Sequence, residues 1–313
     1  MGNGRQAVTE LILHNYDFSS FSEKIRLVLG LKDLTWRSVA IPSVMPKPDL
    51  TALTGGYRHT PVLQIGADVY CDTRLIAREL DRRFQSPPLF QDRSTGVALA
   101  IEAWAERDLF WPIARYASGM NADDVAPELH ADRAAMRGKH APSIARVRSA
   151  AETSLALMDV QIPRVENMLG AGHPYLLAEQ PQLVDFAVYH GFWFLSAMPV
   201  DCSVILDTFP RIRSWMQRIR SIGHGKSEAM SSQQALQIAA QSTPAPARQS
   251  VASAFDPPLG CDVAIRPEDY ATAEIVGKLY CTDRDEVALL RADPSLGNVV
   301  VHFPRVGYAM RTI

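Results

Sequence analysis

The stretch "YRHTPVLQIGADVYCDTRLIARELDRRF", Tyr57 to Phe84, decides how this chain is read. "PVLQIG" (Pro61 to Gly66) and "DVYC" (Asp68 to Cys71) are short apolar runs joined through Gly66 and Ala67, the signature of paired strands. From Thr73 the residues Leu75, Ile76, Leu80 and Phe84 mark the apolar face of a helix. Upstream, Leu11-Ile12-Leu13 reads as a strand. Phe21, Ile25, Val28 and Leu29 recur on one face of a helix, and "WRSVAI" (Trp36 to Ile41) reads as a second strand. Strand-helix-strand followed by strand-strand-helix predicts a compact α/β domain over residues 8–86.

From Thr95 the signals turn helical and predict an all-helical domain over residues 95–225. "GVALAIEAWAERDLFWPIARYAS" is long and aromatic-rich, with Pro112 expected to bend or end its helix. Residues 142–169 carry apolar side chains at loosely helical spacing. "LVDFAVYHGFWFLSAM" (Leu183 to Met198) is apolar on all sides and is expected to be buried. Residues 226–254, rich in Ser, Ala, Gln and Pro, read as a linker. Residues 255–313 read as short strands and turns, a small β-rich domain of a size that needs docking to be stable.

Composition narrows the function classes. Lys and Arg number 32 against 34 Asp and Glu, so nothing steers the chain toward nucleic acid or an anionic membrane. No apolar run reaches the roughly 20 residues that span a bilayer, and Met1 to Gln6 lack the apolar core of a signal peptide. Cys71, Cys202, Cys261 and Cys281 are far apart with no C-x-x-C, which argues against a disulfide framework, a zinc site or a dithiol centre. The expected location is a reducing cytoplasm, with no metal.

Two places could carry chemistry. Ser20-Phe21-Ser22-Glu23 fits a capping box, with Ser20 as N-cap and Glu23 reaching back. That leaves Ser19 beside unpaired N–H groups and a partial positive charge, where an anion such as a thiolate is favoured. The second place is Thr60-Pro61, expected as a cis step before a strand. It would leave the Thr60 backbone free to pair with a peptide-like ligand as a further strand would. Beyond it, Asp72 reads both as a helix cap and as the partner of an ammonium, with the Thr73 hydroxyl and helix N–H groups for a carboxylate.

These residues resemble the soluble glutathione transferase family over about residues 8–225. The serine-type motif S-x-F-x-x-[KR]-[VI]-R is met by Ser19-Ser20-Phe21-Ser22-Glu23-Lys24-Ile25-Arg26. "TPVL" resembles the family's cis-proline step, "DTRLIARELDRRF" its third helix, "PQLVDFAVYHGF" its helix-capping segment and "FPRIRSWMQRI" its closing helix. Departures are Gln182 at the usual Ser or Thr of the capping segment and Asp72 at the usual Glu. Asn15 stands near the tyrosine of tyrosine-type members, with Tyr16 adjacent. The β-rich tail lies outside the family's usual two domains.

The resemblance implies a thioredoxin-like domain followed by a helical domain. It also implies glutathione as co-substrate in a homodimeric, cytoplasmic detoxification enzyme. Ser19, with Ser20 and Tyr16 as alternatives, would donate a hydrogen bond to the thiol sulfur. Phe21, Arg58, His59, Thr60, Pro61, Asp72 and Thr73 would bind glutathione, with either Arg58 or His59 reaching its terminal glycine. Phe110, Trp111 and Tyr116 are wall candidates for an apolar pocket taking a small hydrophobic electrophile. The alternative is a non-catalytic protein on the same scaffold that binds glutathione, apolar ligands or a partner.

Overall fold

The computed structural model describes residues 10–91, 94–248 and 255–313. The readings placed on Met1 to Gln6, on residues 8–9 of the α/β domain and on 249–254 of the linker lie outside the described residues. In chain order the first elements are β1 (Ile12–Asn15), α1 (Ser20–Leu31), β2 (Thr35–Ala40), α2 (Pro48–Thr54), β3 (Val62–Ile65), β4 (Asp68–Cys71) and α3 (Thr73–Arg83). Helices follow: α4 (Thr95–Trp104), a π-helical turn (Ala105–Leu109), α5 (Phe110–Met120), α6 (Pro127–Ala135), α7 (Ile144–Met168), α8 (Leu183–Ser196) and α9 (Pro210–Arg220). The chain ends with β5 (Lys226–Ala229), α10 (Ser232–Gln241), β6 (Asp262–Pro267), β7 (Ile275–Thr282), β8 (Glu286–Asp293), β9 (Gly297–Pro304) and β10 (Tyr308–Thr312). Contacts divide it into two units. One holds the chain up to Tyr16, Thr35–Ile76 and Lys226–Ile313, the other Asp17–Leu34 and Ala77–Gly225.

The first unit is built on one sheet in the order β10-β6-β7-β8-β9-β4-β3-β1-β2-β5. β1 runs parallel to β2 and antiparallel to β3, and β3 is antiparallel to β4. Every residue of β1, β3 and β4 is buried, as strands covered on both faces require. The polar residues among them are therefore paired. Gln64 donates to the carbonyls of Gly66 and Ala235, which leaves its Oε1 to accept from His14 Nε2 at 2.9 Å. Burial, outweighing that bond and the charge of Asp49, pushes His14 down to about 4, so it is neutral.

The C-terminal strands belong to the same sheet. β9 pairs in parallel with β4, bringing Tyr70 opposite His302. One core joins Ile12, Val39, Leu53, Val62 and Val69 to Ile265, Leu279, Leu289, Val301 and Phe303. Arg291 of β8 donates to the carbonyls of Ala52 and Leu53 at 3.2 and 3.4 Å, satisfying groups that the end of α2 leaves unpaired. Gly55, at φ +77, makes room for it, since a Cβ there would stand 2.5 Å from Arg291 Nε. A chain of about 60 residues has too little interior of its own, and sharing a core with a neighbour meets that need. Within the segment expected as a linker, the described residues 226–248 carry β5 and α10. β5 extends the sheet beside β2, and α10 buries Ala235 and Ala239, one turn apart on one face.

The second unit is helical. α8 is buried nearly all round, as its sequence predicts, and Asp185 in its first turn accepts from Leu176 N, Gln182 N and Trp215 Nε1 at 2.9, 2.9 and 3.0 Å. Pro112 does not end its helix. It lies in the first turn of α5, and the π-helical turn before it holds Asp108, the residue whose carbonyl a proline ring would meet. Gly30 in α1 meets the backbone of Gly223, and a Cβ would lie 1.9 Å from the Gly223 carbonyl oxygen. Gly30→Ala is expected to cost about 1–3 kcal/mol by forcing two backbones apart. Urea unfolding checks this, and an unchanged midpoint would show that the contact yields.

Candidate functional site

In the second unit, α1 begins at Ser20, and its N-cap is Ser19, whose Oγ accepts from Ser22 N at 3.2 Å. This corrects the capping box expected on Ser20. Glu23 does not reach back. Its carboxylate accepts from Arg26 Nε at 3.0 Å and pairs with His224 Nε2 at 3.0 Å. Burial opposes charge on Glu23, but His224 and Arg26 outweigh it and hold the carboxyl below its usual range. The serine that the sequence kept apart from the cap is thus the cap itself, so capping and its expected role fall on one hydroxyl. The two are compatible, because an oxygen that accepts an N–H keeps its own proton to donate.

Lys24, in the same motif, is wholly buried and donates to Glu102 Oε1 at 2.7 Å and Glu106 Oε1 at 2.6 Å. Glu106 comes from the π-helical turn. Burial would lower the Lys24 pKa, but the two carboxylates raise it, so the ammonium stays charged. The Phe21 ring packs edge-on against Phe110, centroids 5.0 Å apart, and 4.6 Å from His190. Phe110 is a buried member of this aromatic cluster. Trp111 is half-buried under the Arg137 guanidinium at 4.7 Å, and Tyr116 is half-buried.

In the first unit the Thr60–Pro61 peptide is cis, directly before β3. Asp72 precedes α3 at φ +72, uncommon for a residue other than glycine. Its Oδ1 accepts from Arg74 N at 2.9 Å, its carbonyl accepts from Ile76 N, and its Oδ2 accepts from the Tyr308 hydroxyl at 3.2 Å. Asp72 thus takes the capping role at the start of α3 that the sequence predicts. Thr73 is buried at the start of α3. His59 stacks on Tyr270 at 4.3 Å, and its Nε2 lies 3.1 Å from the Tyr270 carbonyl. A carbonyl only accepts, so Nε2 carries the proton. Burial, outweighing Asp269 and Asp72, lowers the His59 pKa and leaves the ring neutral.

Several residues here were not singled out from sequence. Lys47, 5% exposed, sends its ammonium to Thr60 Oγ1 at 3.4 Å and lies 5.6 Å from the centre of the Tyr16 ring. It stands in the Pro-rich loop before α2, where no periodicity marks it. Tyr57, Tyr270 and Tyr308 surround Asp72 and His59, and two of the three come from the C-terminal strands and their loops. Only sheet pairing brings residues so distant in sequence to one place. Asn15 has a structural role, donating to Leu13 O and Ser38 Oγ at 3.0 and 3.1 Å.

The element order β1-α1-β2, then β3-β4-α3, then helices is that of a thioredoxin-like domain followed by an all-helical domain. The chain belongs to the glutathione S-transferase family: the family's N-terminal domain matches residues 13–88 and its C-terminal domain residues 125–222. A GST-like protein from Pseudomonas syringae is 37% identical, with a TM-score of 0.79 over 97% of this chain and 100% of its own. That coverage takes in the C-terminal strands. The theta class enzyme of Xanthomonas axonopodis pv. citri, solved with glutathione bound, is 16% identical with a TM-score of 0.52 over 68% of this chain and 93% of its own. The β-etherase LigF of Sphingobium sp. strain SYK-6 is 16% identical with a TM-score of 0.51, covering 67% and 95%. These two share the fold. No curated protein matches. Among the described residues no helix is long and apolar enough to cross a membrane, and no group of three His, Cys, Asp or Glu is placed to hold a metal ion.

Proposed function

We propose that this chain is a glutathione transferase that binds glutathione and activates its thiol for attack on a small hydrophobic electrophile. Family membership supports the co-substrate. The single observation that carries activation is Ser19, a hydroxyl capping α1 with its own proton still to donate. A free thiol titrates at about 8.5. A hydrogen bond to the sulfur anion contributes about 1.5–3 kcal/mol and a helix N-terminus about 0.3–1 kcal/mol. At about 1.4 kcal/mol per unit, these lower the thiol by about one to three units, enough to make thiolate abundant at neutral pH.

In this reading Thr60 pairs with the peptide backbone, Arg58 and Lys47 supply positive charge for the glycine carboxylate, and Asp72 and Thr73 take the γ-glutamyl end. Phe21, Pro61 and His59 shape the surroundings, and Ser20 and Tyr16 are the alternative hydroxyls. Trp111 and Tyr116 are better electrophile-pocket walls than the core-packed Phe110. A cytoplasmic homodimer with a detoxifying role is the setting that the family supports.

The test is calorimetric titration with glutathione together with steady-state conjugation of a chlorinated aromatic electrophile. Ser19→Ala is expected to lower kcat/KM by roughly tenfold to a hundredfold. It should cost about 1 kcal/mol of stability as the cap is lost, while Ser20→Ala and Tyr16→Phe stay near wild type. An inactive Tyr16→Phe beside a fully active Ser19→Ala would reassign the hydroxyl. A wild-type chain that binds no glutathione would end the proposal, and binding without turnover would favour a carrier.

A further inference from the structure

The C-terminal strands do more than close the sheet. β10 is held in register by β6, with Tyr308 opposite Pro267, and this brings the Tyr308 hydroxyl to Asp72. Asp72 Oδ1 is engaged by Arg74 N, so Oδ2 is the oxygen left to face a ligand, and that oxygen accepts from Tyr308. Behind Tyr308 stands Tyr57, 3% exposed, its hydroxyl 3.0 Å away. Tyr308 gives its one proton to Asp72, so Tyr57 is the donor to Tyr308. This fixes the direction of the chain Tyr57 to Tyr308 to Asp72 and leaves the Tyr308 oxygen one further lone pair. Burial above all, with Asp72 nearby, raises both phenols well above their usual range, so both remain donors at neutral pH.

We propose that Tyr308 is a binding residue for the free α-ammonium of the peptide thiol. It acts with Asp72 Oδ2 and makes the site selective for thiols whose amine is not blocked. The inference rests on the glutathione reading above. An ammonium has three protons and no acceptor. Beside Asp72 it gives one proton to Oδ2, which has lone-pair capacity beyond its bond from Tyr308, and another to the remaining lone pair on the phenol oxygen. An N-acylated amine carries no charge and a single proton, so it satisfies neither oxygen as well and adds bulk where Tyr308 stands. The competing account is that the Tyr308–Asp72 bond only fastens β10 to the sheet. That account moves stability and leaves ligand choice alone.

The experiment titrates the full chain with glutathione and with N-acetylglutathione, using wild type, Tyr308→Phe and Tyr57→Phe. Wild type is expected to prefer glutathione. Tyr308→Phe should weaken glutathione by roughly tenfold to a hundredfold while N-acetylglutathione binds as before, so the preference collapses. Tyr57→Phe keeps the hydroxyl of Tyr308 and should lose part of the preference, which serves if Tyr308→Phe folds poorly. A thermal midpoint that falls in Tyr308→Phe with the wild-type preference intact would establish the fastening account and overturn the proposal. Wild type binding both thiols equally would overturn it while leaving the glutathione reading standing. Wild type binding neither would remove both.

Discussion

Lys24→Met is expected to destabilise the protein by about 3–5 kcal/mol, because it leaves the carboxylates of Glu102 and Glu106 without their buried cation. Methionine fills a similar volume, so the loss measures stranded charge more than lost packing. Glu102 is 1% exposed and has little recourse to water. Restoring neutrality with Lys24→Met, Glu102→Leu and Glu106→Leu together should recover most of the loss, since an apolar replacement of a buried ion pair is often neutral or stabilising. Urea unfolding of the three proteins decides it. A single-variant loss below about 1 kcal/mol, the size of an exposed pair, would mean that water reaches the site.

The second large effect is at His302. Its Nε2 lies 3.0 Å from Asp68 Oδ1, its Nδ1 is hydrogen-bonded to Glu286 Oε1, and its ring stacks on Tyr70 at 4.3 Å. Arg248 pairs with Glu286 at 3.1 Å, Ala245 N donates to Asp68 Oδ2, and Cys281 also feels the charge of Glu286. Burial disfavours the imidazolium, but the bonds to Asp68 and Glu286 and their charges outweigh it, so the pKa is raised above 6.5. A raised folded pKa stabilises fully below the unfolded value of about 6.5, and the contribution is lost as pH rises through the folded value. His302→Ala is expected to cost about 3–5 kcal/mol near pH 6, with two buried carboxylates left facing each other, and less near pH 9. Urea midpoints of wild type and variant at both pH values test this, and a gap independent of pH would show that His302 is held neutral. His14 contributes in the opposite sense. Its pKa, lowered to about 4, stabilises above about 6.5 and the contribution is lost as pH falls through about 4.

Much of the candidate site was legible because it rests on local chemistry. A proline before a strand, an acidic cap before α3 and a serine before an amphipathic helix all announce themselves within a few residues. The choice between Ser19 and Ser20 did not, because both fit a cap within one residue of each other. What separated them was the partner of Glu23, and His224 lies 201 residues away. Lys47 was illegible for a similar reason, since a lone lysine in a loop reads as solvated until a fold buries it.

The sequence by itself determined the element order, the thioredoxin-like and helical segments and the family, because hydrophobic period, turn chemistry and capping act over a few neighbouring residues. Tertiary structure alone decided that the C-terminal strands join the N-terminal sheet through β9 and β4, that Ser19 is the cap, and that Tyr308 meets Asp72. Strand pairing and buried charge are satisfied by partners at any sequence distance. Which partner is taken depends on register and on the shared core, and neither is written in a local pattern.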